Sequence, residues 1–385
     1  MESTPYYFYD YDLLNATLDL VQEETKGSNF HVYYAIKANN NKKIVKTIAE
    51  KKFGADCVSG AEIQFALEAG IPNSKIVFAG VGKTDEEIRF AISMNIAAFN
   101  CESFGEIEVI NEIAQEFGRT VNVALRLNPN VNAYTHEKIT TGLNENKFGI
   151  SPYEYEEIKN AHTSLTNVSF VGLHFHIGSQ ITEMKAFKNL CFRINALKDD
   201  FIATFGKLQY LNVGGGLGID YNNPVENSIP DFKSYFRVFK DHLNIGMDVP
   251  VYFELGRSLV GQCGTLFTKV LYVKRSEQKQ FAVLDAGMTE LLRPAMYGAQ
   301  HKIEKYNASS NELLAPYDVV GPICESSDSF GENVLLPKLK RGDLIAIRSC
   351  GAYAESMSLR YNGREAIPSY PSAVNATAFK VAKTA

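Results

Sequence analysis

Between about residue 30 and residue 257 the sequence alternates between two hydrophobic periods, and this alternation restricts the chain to few folds. Short runs rich in β-branched and aromatic residues at 31–36, 54–58, 76–79, 97–100, 121–127, 170–176, 208–213 and 251–254 read as strands. Amphipathic stretches separate them. In 103–117, Ile107, Ile110, Ala114 and Phe117 recur on one face at helical spacing. In 61–70, Ile63, Ala66 and Leu67 share a face and Gly70 gives a stop signal. Eight strands with seven intervening helices are the content of one α/β (β/α)8 TIM barrel. A doubly wound sheet would use the same units. Eight in succession without a domain break favour closure.

After Arg257 the texture changes. Runs at 264–274, 280–285 and 343–348 are β-rich, with turn residues between them and little helical periodicity. They predict a second, mostly β domain, sandwich- or barrel-like, to which Tyr6-Tyr7-Phe8-Tyr9 could add a strand. The expected division is a barrel over 13–260 and a β domain over 1–12 and 261–385. A chain of 385 residues has room for both.

Composition excludes several function classes. The formal charge is −5 with no long basic run, so nothing favours capture of nucleic acid. No stretch approaches the ~18–20 apolar residues of a membrane span. The N-terminus lacks the basic and apolar regions of a secretory signal, so a cytoplasmic location is expected. Cys57, Cys101, Cys191, Cys263, Cys324 and Cys350 form no CxxC pair, which argues against a disulfide framework and a structural zinc site. Buried reduced thiols are the default expectation.

In a barrel the active site forms at the C-terminal ends of the strands, and reactive residue types collect there. Lys37 follows the first strand and Asp56 lies in the second. Arg126 ends the fifth, and His174 and His176 end the sixth. Gly214-Gly215-Gly216 follows the seventh, and Glu254 with Arg257 closes the eighth. Singly, each has a bland alternative: a solvated lysine, a core histidine, turn glycines, a salt-bridging arginine. A glycine-rich turn does, however, present backbone N–H groups suited to phosphate. His174 and His176, two apart on a strand, would share a face and could form a metal pair. The other histidines (His31, His136, His162, His242, His301) do not sit at later strand ends, so no metal is expected.

YYAIKAN, HFHIGSQ, NVGGGLG and ELGR, followed by GPICES and GAYAESM, resemble the fold-type III pyridoxal-phosphate decarboxylases, over nearly the whole chain and in order. TTGLNENKFGI (140–150), HIGSQ and RPAMYGAQH (293–301) resemble the branch that acts on diaminopimelate. The resemblance implies pyridoxal 5'-phosphate as cofactor and a Schiff base on Lys37. It implies Glu254 at the pyridine nitrogen and His176 stacked on the ring. Asp56 and Arg126 would give support. Ser179, Gly214, Gly215, Gly216, Gly256, Arg257 and Tyr353 would line the phosphate pocket. Arg257, Arg293, Tyr297, Glu325 and Tyr353 would bind an amino-acid substrate, and Cys324 would protonate the carbanion. In relatives the Cys-Glu pair comes from the partner subunit, which implies a homodimer with shared active sites. The family pattern has proline within the ExGR turn, where this chain has Leu255. The implied reaction converts meso-diaminopimelate to L-lysine and CO2. Alternatives are a sister decarboxylase of ornithine, arginine or carboxynorspermidine, a metal-dependent barrel hydrolase, and a cofactor-binding homologue without turnover.

Overall fold

The computed structural model describes residues 3–129, 131, 147–309 and 311–372. In chain order, β1 (Tyr6–Tyr9) and α1 (Tyr11–Thr25) precede eight strands that pair in sequence order. These are β2 (Phe30–Ala35), β3 (Gly54–Cys57), β4 (Ile76–Phe78), β5 (Ala98–Cys101), β6 (Val121–Arg126), β7 (Val168–His174), β8 (Tyr210–Asn212) and β9 (Val251–Leu255). All adjacent pairs are parallel, and β9 returns to β2 with Tyr33 opposite Glu254. The sheet is a closed barrel, which settles the choice against an open doubly wound sheet. The crossovers carry α2 (Lys42–Glu50), α3 (Gly60–Glu68), α4 (Asp85–Ser93), α5 (Phe104–Glu116), α6 (Pro152–Ala161), α7 (Met184–Phe205) and α8 (Phe232–His242).

The helices start where short polar side chains can occupy orphan amides. Ser59, Thr84, Ser103, Ser151 and Asp231 each accept a first-turn N–H, and Thr84/Glu87 and Ser151/Glu154 complete capping boxes. Gly70 follows α3 at φ +92°, a conformation that favours glycine. On α5, Ile107, Ile110 and Ala114 are buried as expected, but Phe117 is the C-cap and 38% exposed. The helix ends before its side chain can turn inward.

Strand alternation sorts the barrel interior into layers. One layer holds Gly54, Ala98, Gly172 and Tyr252 from alternate strands. Tyr33 and Tyr210 lie against Tyr252, with ring centroids 4.4 and 4.7 Å away. A Cβ on Gly54 would come within 2.6 Å of the Tyr33 ring, so the small residues match the large ones. On the outer face Phe253 packs edge-on against Phe236 and Phe239 of α8, at 5.1 and 5.0 Å. Two residues further along the same alternate strands the interior layer becomes polar: Asp56, Asn100, His174 and Glu254, all buried.

The chain divides into two compact units, a barrel unit of Leu18–Gly218 and Asp231–Ser258 and a β unit of Met1–Thr17, Ile219–Pro230 and Leu259–Ala385. The 219–230 excursion carries no periodic signal that separates it from the barrel in the sequence. The β unit contains β10 (Gly264–Arg275), β11 (Gln280–Leu284), β12 (Ile303–Lys305), β13 (Leu314–Val320), β14 (Ser329–Pro337), β15 (Leu344–Ile347) and β16 (Ser369–Pro371). Their order is β12-β15-β10-β11-β13-β14, and β1 adds to β10 and β16. Tyr6 of β1 lies opposite Phe267, the two rings stacked at 5.3 Å.

Candidate active site

The polar layer is the most constrained part of the barrel. Buried polar groups are tolerated when they satisfy one another, and Glu254 is satisfied from three sides. Its Oε1 accepts from Asn212 Nδ2 at 2.7 Å and Asn100 Nδ2 at 3.2 Å, and its Oε2 lies 3.1 Å from His174 Nε2. A carboxylate only accepts, so His174 Nε2 carries a proton. Burial alone would raise the Glu254 pKa, but His174 and Lys37 hold it well below the usual carboxylate range. The chain therefore keeps a fixed negative charge inside the barrel.

Lys37 sits on the 3-10 turn Ile36–Ala38 just past β2. Its Nζ donates to Asp56 Oδ2 at 3.1 Å. Asp56 is fully buried; desolvation, with the nearby Glu254 charge, pushes its pKa up to about 6 against the opposing pull of Lys37 and His174. A carboxylate of raised pKa 3.1 Å from an amine can take its proton. Gly256 explains why the ELGR turn fits against the lysine turn. A Cβ there would stand 2.9 Å from Ala38 Cβ and 3.2 Å from Ala35 Cβ. Leu255, in place of the family's proline, ends β9 fully buried.

β7 stops at His174, so His176 lies beyond the strand, and the two imidazoles are not a pair on one ladder. His174 turns to Glu254, whereas His176 Nδ1 accepts from the Gly215 N–H at 3.3 Å. That bond puts any proton of the neutral ring on Nε2. Burial, then Arg126 and Lys37, lower the His176 pKa well below its ordinary value and keep the ring neutral. The glycine turn is shaped by close approach. A Cβ on Gly214 would lie 2.2 Å from the Phe175 carbonyl, on Gly215 1.9 Å from that of Glu254, and on Gly216 2.6 Å from that of Gly178. Ser179 accepts from Arg257 at 3.0 Å. Arg126 is buried in an ion pair with Glu102, which also accepts the Gly149 N–H at 2.8 Å, and stacks over Phe148 at 4.9 Å.

In the β unit, Arg293 is buried, its guanidinium over the Tyr221 ring at 4.7 Å and 2.8 Å from His301 Nε2. His301 Nδ1 meets the Arg348 carbonyl at 2.8 Å and must donate there, so Nε2 is the acceptor for Arg293. Tyr297 ends the same short helical turn. Tyr353 holds φ +57°, a strained backbone for a non-glycine residue. Of six cysteines, five are buried as expected and Cys324, the one for which the resemblance implies a catalytic role, is exposed; none is disulfide-bonded. Its N–H donates to Asn362 Oδ1 at 3.0 Å, and Tyr361 donates to Glu325 Oε1 at 2.9 Å.

The structure thus brings Lys37, Asp56, His176, Gly214–Gly216, Glu254, Gly256 and Arg257 together at the strand ends. Sequence reading missed Asn100, Asn212 and Glu102, although Asn100 and Asn212 stand at strand ends where the same rule would have found them. Residues 140–146 of TTGLNENKFGI, and His136, lie outside the described residues.

A barrel holding a lysine beside a buried acid, a fixed carboxylate, a neutral imidazole face and a glycine cradle suits an electron-poor aromatic cofactor bearing an aldehyde and a phosphate. Residues 12–261 match the family described as pyridoxal-dependent decarboxylase, pyridoxal binding domain. A relative from Bacteroides thetaiotaomicron, called diaminopimelate decarboxylase, is 53% identical over 370 residues, covering 96% of this chain and 95% of that one. One of the same name from Helicobacter pylori is 41% identical over 361 residues, covering 94% and 88%. A crystal structure of the Helicobacter pylori diaminopimelate decarboxylase complexed with L-lysine superimposes with a TM-score of 0.90 at 40% identity, covering 96% and 92%. The chain belongs to the pyridoxal-dependent decarboxylase family, in its diaminopimelate decarboxylase branch.

Proposed function

We propose that the chain is a carboxy-lyase that converts meso-2,6-diaminopimelate to L-lysine and CO2 with pyridoxal 5'-phosphate as cofactor. The observation that carries this reading is the buried polar layer, in which Asn100, Asn212 and His174 hold the Glu254 carboxylate within the same barrel end as the Lys37–Asp56 pair. When bound, pyridoxal 5'-phosphate supplies an aldehyde that captures amines and a ring that accepts the electron pair left as CO2 departs.

Lys37 is the amine that anchors the cofactor, and Asp56 takes the proton it must lose to become nucleophilic. Glu254 keeps the ring nitrogen protonated, with Asn100, Asn212 and His174 fixing its orientation. His176 offers a flat uncharged face. The Gly214–Gly216 turn, Ser179, Gly256, Arg257 and Tyr353 hold the phosphate, and Arg126 supports the site from β6. Arg293 and Tyr297, with Arg257 and Tyr353, bind the carboxylate that is retained; a planar guanidinium suits that group. Glu325 binds the distal ammonium, and Cys324 delivers a proton to the α-carbon. Exposure of Cys324 and Glu325 fits residues that act in the site of a second copy, and the working form is a homodimer in the cytoplasm.

The test is release of CO2 and L-lysine by purified protein supplied with the cofactor and, separately, meso-diaminopimelate, ornithine or arginine. Turnover of diaminopimelate alone supports the reading. No turnover of diaminopimelate by cofactor-loaded protein defeats it.

A further inference from the structure

We infer that Asp328 is a positioning residue that ties the Cys324–Glu325 loop to the neighbouring turn preceding Arg293. The inference rests on the roles proposed above for these residues.

β11 and β13 are parallel neighbours, with Phe281 opposite Asp318 and Val283 opposite Val320. The segments after them, 285–292 and 321–328, therefore leave the sheet side by side. The first leads to Arg293 and Tyr297, and the second carries Cys324 and Glu325. Asp328 joins the two. Its Oδ1 accepts the Met288 N–H at 2.6 Å, and its Oδ2 accepts the Ile323 N–H, one residue before Cys324, at 2.7 Å. Its own N–H donates to the Glu325 carbonyl at 3.1 Å, and its carbonyl accepts the Gly321 N–H at 3.0 Å. Asp328 is only 4% exposed, so both charge-assisted bonds are shielded from water.

The surrounding glycines fit this reading. A Cβ on Gly321 would lie 2.3 Å from Asp328 Oδ2, and one on Gly287 would lie 3.0 Å from both carboxylate oxygens. Neither Gly287 nor Gly321 has φ between +20° and +160°, so close packing, not backbone conformation, disfavours larger residues there: besides the carboxylate, Ile323 Cγ1 stands 2.9 Å from a Gly287 Cβ and the Gly287 Cα 2.5 Å from a Gly321 Cβ. Of the other anchors, the Asn362 bond holds the Cys324 amide and the Tyr361 hydroxyl holds the Glu325 side chain. Asp328 spans both segments with one carboxylate. Its removal should displace Cys324 without disturbing the barrel layer that contains Lys37 and Glu254.

The experiment compares wild-type holoenzyme with Asp328→Asn, which places an amide N–H2 against one backbone N–H. A second variant, Gly321→Ala, keeps the acid but puts a Cβ 2.3 Å from its Oδ2 and 2.5 Å from the Gly287 Cα, which presses apart the same two segments. Two readouts are taken: kcat and KM for diaminopimelate, and the iodoacetamide alkylation rate of the Cys324 peptide by mass spectrometry. The expected result is a fall in kcat of about tenfold or more. Cys324 alkylation should change about threefold or more, and the absorption of bound cofactor should not change. In a Cys324→Ala background, Asp328→Asn should cause little additional loss. An unchanged alkylation rate in the folded variants, or losses that multiply in the double variant, would overturn the inference. If wild-type protein releases no lysine, the substrate reading fails, and the alkylation rates alone decide the role of Asp328. If Asp328→Asn does not fold, Gly321→Ala decides it.

Discussion

Replacing Glu254 by glutamine exchanges one oxygen of the buried carboxylate for an N–H2 group. The remaining oxygen keeps the asparagine donors at 2.7 and 3.2 Å. The new N–H2 must then face His174 Nε2, which has to become an acceptor, moving the imidazole proton to Nδ1. That nitrogen is buried with no hydrogen-bond partner among the described residues. Burying an unpaired N–H costs about 1–3 kcal/mol, so the cofactor-free variant should unfold at measurably lower denaturant. A second loss appears in turnover. A hydrogen bond to a charged group is worth about 1.5–3 kcal/mol, and at about 1.4 kcal/mol per decade kcat should fall roughly ten- to hundredfold. The assay is lysine release at saturating substrate, with cofactor loading checked by absorbance. A kcat within about twofold of wild type at full loading would refute the reasoning.

Gly215→Ala would place a Cβ 1.9 Å from the Glu254 carbonyl. It should lower stability by about 3 kcal/mol or more and weaken cofactor binding, both read by thermal unfolding with and without cofactor. Asp56 has a folded pKa raised from 3.8 to about 6. Its folded form holds a proton more tightly than its unfolded form. The associated stabilisation is full below pH 3.8 and is lost as pH rises through 6, with an upper magnitude of about 3 kcal/mol. Asp56→Asn should therefore gain on wild-type apoprotein in melting temperature between pH 4 and 7; a constant difference would contradict the burial argument. Glu254 has the opposite sign: its depressed pKa gives stability present above the unfolded carboxylate value and lost on acidification through the folded value. Native protein treated with a thiol reagent should show one fast thiol, abolished by Cys324→Ser, since the other five are buried.

Much of the barrel was legible because its signal is local. Each strand is a short β-rich run and each helix an amphipathic stretch, five of the seven with a Ser, Thr or Asp cap, so element type and order can be read residue by residue. Lys37, Asp56, Glu254 and the triple glycine were legible because barrel geometry puts function at strand ends. What was not legible depends on meetings between distant segments. Asn212 looks like an ordinary strand residue until Glu254, 42 positions later, is seen to accept from it. His174 and His176 suggested a shared ladder face, but β7 ends between them. The β unit was harder to read. Its pairings span long separations, such as Tyr6 opposite Phe267, and β12, β13, β14 and β16 have short or mixed patterns. Asp328 looks like a turn residue until the amides of Ile323 and Met288 are found on it.

The central claim is that this barrel uses Lys37 and pyridoxal 5'-phosphate to decarboxylate meso-diaminopimelate. It is tested most directly by recording absorption and lysine release in one sample, for wild type and Lys37→Ala. The account predicts a yellow wild-type protein that releases L-lysine and CO2, and a variant that loses both the wild-type absorption band and turnover. A wild-type protein that stays colourless and inactive with added cofactor would contradict it.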